Sequence, residues 1–258
     1  MIEIIILALI GSAIAGIWDL KTTEVPDEIP ILMCFGGVAY WYFYWITSGI
    51  AYPFMVSVVL GLAVLGLGLA MYHKKAWGEA DAWILASMAF MVPLYTTGEI
   101  FFADYIFNFL IVSVVYMVLY SLVIGMKNKS TFGLFAQGVM KRWFIVFPVL
   151  IVCVAAAVMF PPMQFPAFLL AFMVLFWVYA RVIENNVFKR QIHVKDLKAG
   201  DVLVEKKWIG VTQEDVDRLK NSKEYVTIKD GVRFVPVFAI TLAVTLLWGN
   251  VLLPLLLF

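Results

Sequence analysis

The sequence predicts an all-α integral membrane protein, a polytopic helix bundle of about six to eight spans with a small mixed α/β cytosolic domain. Three observations carry that expectation. Apolar residues make up 64% of the 258 and charged residues 14%, with a mean hydropathy of +0.95, so the chain cannot fold in water without exposing much apolar surface. Apolar runs long enough to cross a hydrocarbon core recur along its length. Residues 184–233 form the one sizeable polar block.

At about 20 apolar residues per crossing, spans fall at roughly 2–18, 29–49, 53–73, 82–97, 104–126, 143–160, 166–183 and 234–256. The first is not a cleaved signal peptide, because it lacks a basic leading region and carries Glu3 at its head. Between the sixth and seventh, Phe160-Pro161-Pro162-Met163-Gln164-Phe165-Pro166 reads as an outer turn or a kinked re-entrant hairpin. The 19 basic residues then fix orientation. Lys21 follows the first span, Lys74 and Lys75 the third, and Lys127, Lys129, Lys141 and Arg142 the fifth; the remainder, from Arg181 to Arg233, follow the seventh. The alternate loops (49–52, 98–103 and 160–164) have none and offer only Glu99, with Asp104 just beyond. Basic residues mark cytoplasmic loops, which puts the N-terminus outside and 184–233 in the cytosol.

In that polar block, 192–194, 201–204 and 225–228 read as short strands and 212–220 as a helix, with Thr212 as N-cap and Asp215 three residues on. About 50 residues bury only a small core. A net charge of +1 gives no footprint for nucleic acid. Cys34 and Cys153 lie far apart inside apolar runs and read as small buried residues. His73 and His193 are 120 residues apart and serve no evident nucleophile, and no His, Cys and carboxylate cluster calls for a metal or other cofactor. Aromatic clusters at 40–45 and 101–109 suit membrane interfaces and packing, and Gly61, Gly66 and Gly68 suit close helix approach.

Against this background Asp19 and Asp81 stand out. Asp19 ends the first span as it reaches the cytoplasm, and Asp81 opens the fourth, which starts where the third arrived, so both carboxylates face one side. Their spans are the short ones, about 17 and 16 residues, or roughly 24 to 26 Å against a core near 30 Å, which draws the polar ends toward the lipid boundary. Taken singly, either aspartate is also explained as a loop residue or a first-turn acid favoured by the helix dipole.

The flanking residues are Asp19-Leu20-Lys21-Thr22-Thr23-Glu24-Val25-Pro26-Asp27-Glu28-Ile29-Pro30 and Trp77-Gly78-Glu79-Ala80-Asp81-Ala82-Trp83. Over residues 1 to 126 the order of spans and spacing of these motifs resemble the archaeal prepilin and preflagellin peptidases, GxGD-type membrane aspartyl proteases of the type IV prepilin peptidase family. In those proteins one aspartate follows the first span and precedes a Pro-Asp or Pro-Asn, and the second closes a Gly-x-Gly-Asp or Gly-x-hydrophobic-Asp motif. Ala80 stands where many members have glycine and keeps a small residue beside Asp81, while Gly78 permits close backbone approach. The tail, with Val194-Lys195-Asp196-Leu197-Lys198-Ala199-Gly200-Asp201 and Gly231-Val232-Arg233-Phe234-Val235-Pro236, resembles a C-terminal extension of some archaeal members.

The resemblance implies peptide hydrolysis by Asp19 and Asp81 acting on a bound water, two carboxylates sharing a proton between them. It implies a prepilin or preflagellin precursor as substrate, cut on the cytoplasmic side between a short basic leader and a hydrophobic segment. Glu24, Asp27, Glu28 and Glu79 are then candidates to hold the leader's basic residues, or else a solvated balance for Lys21, Lys74 and Lys75. The chain divides into a membrane catalytic core (1–126), a cytosolic loop and membrane hairpin (127–183), the cytosolic domain (184–233) and a final span (234–258). Partners are membrane lipid and the precursor. Acids at membrane edges also serve ion- or proton-coupled transporters, and an inactive scaffold has the same sequence features, so both alternatives stay open.

Overall fold

The computed structural model describes residues 1–74, 76–128, 130–197, 200–204, 210–220, 224–229 and 231–251. Lys75 and Lys129 of the basic loops, and positions 198–199 of the tail motif, lie outside them. The chain forms two compact units, Met1–Met117 with Val232–Phe258, and Val118–Gly231.

The first unit contains helices α1 (Ile2–Thr22), α2 (Glu28–Ser48), α3 (Tyr52–His73) and α4 (Glu79–Met91). It also holds α5 (Phe101–Lys127) as far as Met117, and α10 (Pro236–Trp248). Among the described residues five helices are long and apolar enough to cross a membrane, or six if the bent α6–α7 pair described below is one span. The expected polytopic helical membrane protein is therefore what forms. α1 ends at Thr23 in the left-handed conformation, Pro26 follows, and α2 ends at Gly49 with φ 75°.

α4 sits at the centre of this unit. Nine of its 13 residues are buried, from Ala82 to Met91, and small residues on its neighbours let it in. A Cβ on Gly37 of α2 would lie 2.8 Å from the Phe90 carbonyl, one on Gly61 of α3 would strike the Phe90 ring, and one on Gly68 would meet Ala82 Cβ at 2.8 Å. Two of the three glycines expected to pack helices do so; Gly66 has nothing within 4 Å.

The sequence predicts a helix through residue 97, but α4 stops at Met91. Pro93 is the reason: it lacks an N–H and disfavours helical backbone at the residue before it. A helix ending inside an apolar bundle leaves carbonyls that water cannot satisfy. Two side chains complete them, Ser57 Oγ donating to Phe90 O at 2.7 Å and Trp41 Nε1 donating to Met91 O at 3.1 Å. The chain then runs without helix through buried Val92 and Leu94 to α5.

α10 begins at Pro236, a favourable first helical residue, and packs along α1. The sequence places the last span at 234–256; the helix ends at Trp248, before Gly249 with φ 63°, and residues 252–258 lie outside the described set.

The second unit contains the rest of α5, α6 (Thr131–Lys141), α7 (Trp143–Met159), a 3-10 turn at Pro161–Met163 and α8 (Gln164–Asn186). The antiparallel strands β1 (Lys189–His193) and β2 (Tyr225–Lys229) and helix α9 (Gln213–Lys220) complete it. α6 falls where the sequence reading has a loop. Its apolar residues Phe132, Phe135 and Val139 recur at helical spacing, and it turns 86° into α7 at Arg142. Of the expected strands, 225–228 lies within β2, which pairs His193 with Tyr225 and Lys189 with Lys229. The first is shifted earlier, because Val194 opens a 3-10 turn, and 201–204 contributes only isolated bridges at Val202 and Leu203. α9 carries the expected cap as a reciprocal box: the Asp215 N–H donates to Thr212 Oγ1 at 3.3 Å, and the Thr212 N–H to Asp215 Oδ2 at 3.2 Å. A small core of Val194, Leu197, Leu203, Val211, Val216, Val226 and Ile228 closes this part.

Candidate active site

Asp19 lies in the last turn of α1, on the face that packs toward α10, and its residue is only 5% exposed. The buried carboxylate has a partner far along the chain: the Val235 N–H donates to Asp19 Oδ2 at 3.0 Å. Asp81 lies in the first turn of α4, where it and Glu79 sit at the positive end of the helix dipole. Its carboxylate folds back over the N-cap, so that a Cβ on Gly78 would be 2.9 Å from Asp81 Oδ2. The close approach that Gly78 permits is therefore to Asp81 itself, and the glycine leaves room for that carboxylate to reach the start of its own helix.

Three stretches of the first unit enclose one cleft of about 520 Å³. Asp19 with Thr23–Asp27 supplies the α1–α2 connection, Gly78, Glu79, Ala80 and Asp81 the start of α4, and Val232, Phe234 and Val235 the approach to α10. The two aspartates thus share a cavity. Of the four acids considered for a basic leader, Glu24, Asp27 and Glu79 line it, whereas Glu28, exposed in the first turn of α2, does not. His73 ends α3 in an exposed position with its ring 5.9 Å from that of Tyr72. Among the described residues no group of three His, Cys, Asp or Glu converges on a point that could hold a metal ion.

Behind the cleft stands a wall of rings. Phe234 meets Phe109 at 5.9 Å, Phe238 at 6.0 Å and Tyr116 at 6.4 Å, and Trp77 meets Phe109 at 6.1 Å. Thr23, on the rim, is the one non-glycine residue with positive φ among those described, at 64°. A β-branched residue there is strained; the Thr23 N–H still closes α1 by donating to Asp19 O at 2.9 Å.

Sequence reasoning missed the third wall. Val235 is 216 residues from Asp19, and no local periodicity links positions so far apart. The one signal was Pro236, which marks a helix start directly after Val235.

Two carboxylates in one cleft that Glu24, Asp27 and Glu79 also line cannot both ionise freely, and such a pair can hold one proton between them and activate a water. Fold and site together define a polytopic membrane protein with a carboxylate pair at the ends of two of its helices. The comparison with known families gives that class a place. Residues 6–126, somewhat under half of the chain, match the type IV leader peptidase family. The match takes in both aspartates and ends before α6, so the Val232–Val235 wall lies beyond it. No curated protein and no solved structure matches the chain.

Proposed function

We propose that the protein is an aspartyl endopeptidase that removes the short basic leader from archaeal prepilin or preflagellin subunits on the cytoplasmic side of the cell membrane. The observation that carries this is the shared cleft of Asp19 and Asp81, both inside the segment matched to the leader peptidases. One aspartate, ionised, takes a proton from water; the other, protonated, polarises the scissile carbonyl, and the roles belong to the pair. Hydrolysis adds the elements of water across the peptide bond, and no covalent enzyme intermediate forms.

Glu24, Asp27 and Glu79 supply negative charge on the cleft for the basic residues of the leader, with Glu28 at its margin. The orientation rests on the distribution of Lys and Arg, all of which flank the face that bears the two aspartates when the helices are taken as alternating crossings.

Incubation of the purified protein with a basic-leader precursor tests the reading. The parent cleaves, and Asp19→Asn and Asp81→Asn each lose about 10²–10⁴-fold in rate while staying folded. An inert parent, or a variant that keeps the parent rate, overturns it. Charge reversal at Glu79 or Glu24 weakens cleavage of basic leaders more than of leaders with fewer charges; an equal loss on both removes the substrate role of these acids.

A further inference from the structure

α10 lies outside the matched segment, yet it is held at several points that together fix where it starts. At its far end, buried Asn108 of α5 donates through Nδ2 to Gly249 O at 2.6 Å and to Thr245 Oγ1 at 3.0 Å, while its Oδ1 accepts from the Val251 N–H at 3.0 Å. Further along, Tyr105 OH donates to Phe238 O at 3.2 Å. At the near end Tyr116 OH donates to Arg233 O at 2.5 Å. On the opposite flank Gly16 of α1 lies so close that a Cβ there would be 3.0 Å from Pro236 Cα. Buried polar groups paired in this way are costly to unpair, so the helix has little freedom to slide or tilt.

The end of α10 that is fixed so firmly is the end that meets Asp19. A backbone N–H on a rigid mount differs from a side-chain donor: it cannot rotate away, and it engages one carboxylate oxygen in one direction. A buried aspartate without such a donor samples other rotamers and loses its alignment with a partner carboxylate, and misplacement by about 1 Å is enough to cost 10²-fold in a catalysed step. Val235 is suited to the task. Its side chain is buried at 3% exposure and its backbone has φ −56°, while Pro236 behind it starts the helix.

From these contacts we infer that the Arg233–Pro236 segment is a positioning element of the active site, in which the Val235 N–H holds Asp19 in register with Asp81. This rests on the reading of that pair as catalytic. The substrate is cut by the pair; Val235 acts through Asp19.

Val235→Pro tests it with little collateral change, because the native φ is already one that proline adopts, and the substitution deletes the N–H. Val235→Ala is its companion, trimming the side chain and keeping the donor. With the full-length protein and a basic-leader precursor, Val235→Pro lowers kcat by roughly 10- to 100-fold at unchanged KM, and Val235→Ala recovers at least about tenfold over it. Tyr116→Phe, which frees the Arg233 carbonyl without entering the cleft, lowers kcat several-fold at unchanged KM. It decides the matter should Val235→Pro fail to accumulate as folded protein. Equal kcat for the proline and alanine variants, or parent-like kcat for Tyr116→Phe where it is the deciding variant, overturns the positioning role while leaving the protease reading standing. A parent that cuts no precursor overturns both.

Discussion

α4 and α7 are both short apolar helices, and they are treated in opposite ways. α4 carries two acids and a serine in 13 residues, yet nine of those residues are buried. α7, with no charged residue in 17, buries only Val146 and Cys153. Ile151, Val154 and Val158 lie 64–77% exposed along its face. In a membrane the solvent is itself apolar, so hydrophobicity no longer marks the inside. The interior is marked by small residues that admit backbones and by polar groups that complete one another. Of these two helices the less apolar, α4, is the buried one, and its first turn lines the cleft shared by the two aspartates.

The contrast is sharpest at the glycines. Gly37→Ala forces a Cβ onto the Phe90 backbone, which has no side-chain freedom with which to yield. It should destabilise the protein by about 1–3 kcal/mol in thermal unfolding in detergent. Gly66→Ala on α3 meets nothing within 4 Å and serves as the control; its melting temperature stays level or rises, since alanine is the better helix former. If the two behaved alike, close packing around α4 would not be what distinguishes it.

Next in size is the end of α4. Ser57→Ala strips the Phe90 carbonyl of its hydroxyl donor in a buried setting and should cost about 1 kcal/mol, read by the same unfolding measurement. A smaller effect of opposite sign is expected at the cleft rim. Thr23→Gly relieves a left-handed β-branched residue, and after the entropy cost of glycine the net gain is about 0.5 kcal/mol. A loss there would mean that the side chain of Thr23 contributes more than its strain removes. Least of all, Ile151→Ala on α7 should change stability by less than about 0.5 kcal/mol; a large loss would show that this face packs against protein.

Much of this was legible in the sequence, for physical reasons that differ from place to place. Long apolar runs broken by Pro26, Gly49 and Pro53 located α1, α2 and α3, because a chain with so little charge has few other ways to satisfy its backbone, whereas five or six of the eight expected spans are long enough to cross among the described residues. The Thr212–Asp215 cap was legible because it is local. The early end of α4 could have been read from Pro93, but the buried apolar residues beyond it kept the hydropathy high. α6 was lost between flanking lysines, although its 3.6-residue period was present. Glu24, Asp27 and Glu79 were placed near the aspartates by sequence neighbourhood alone. Val235 could not be found that way: its bond to Asp19 depends on tertiary packing of α10 along α1, and hydropathy carries no information about which helices touch.

The distance along the chain between Asp19 and Val235 also has a meaning in time. A ribosome adding about 5–20 residues per second reaches Val235 on the order of 10 to 40 s after Asp19 has been made. Through that interval the first helices can enter the membrane with both aspartates present but the amide that seats one of them not yet synthesised. On the proposed reading the nascent chain is a peptidase without its last support, and its competence to cut arrives late, when α10 is threaded beside α1 and the two ends of the first unit meet.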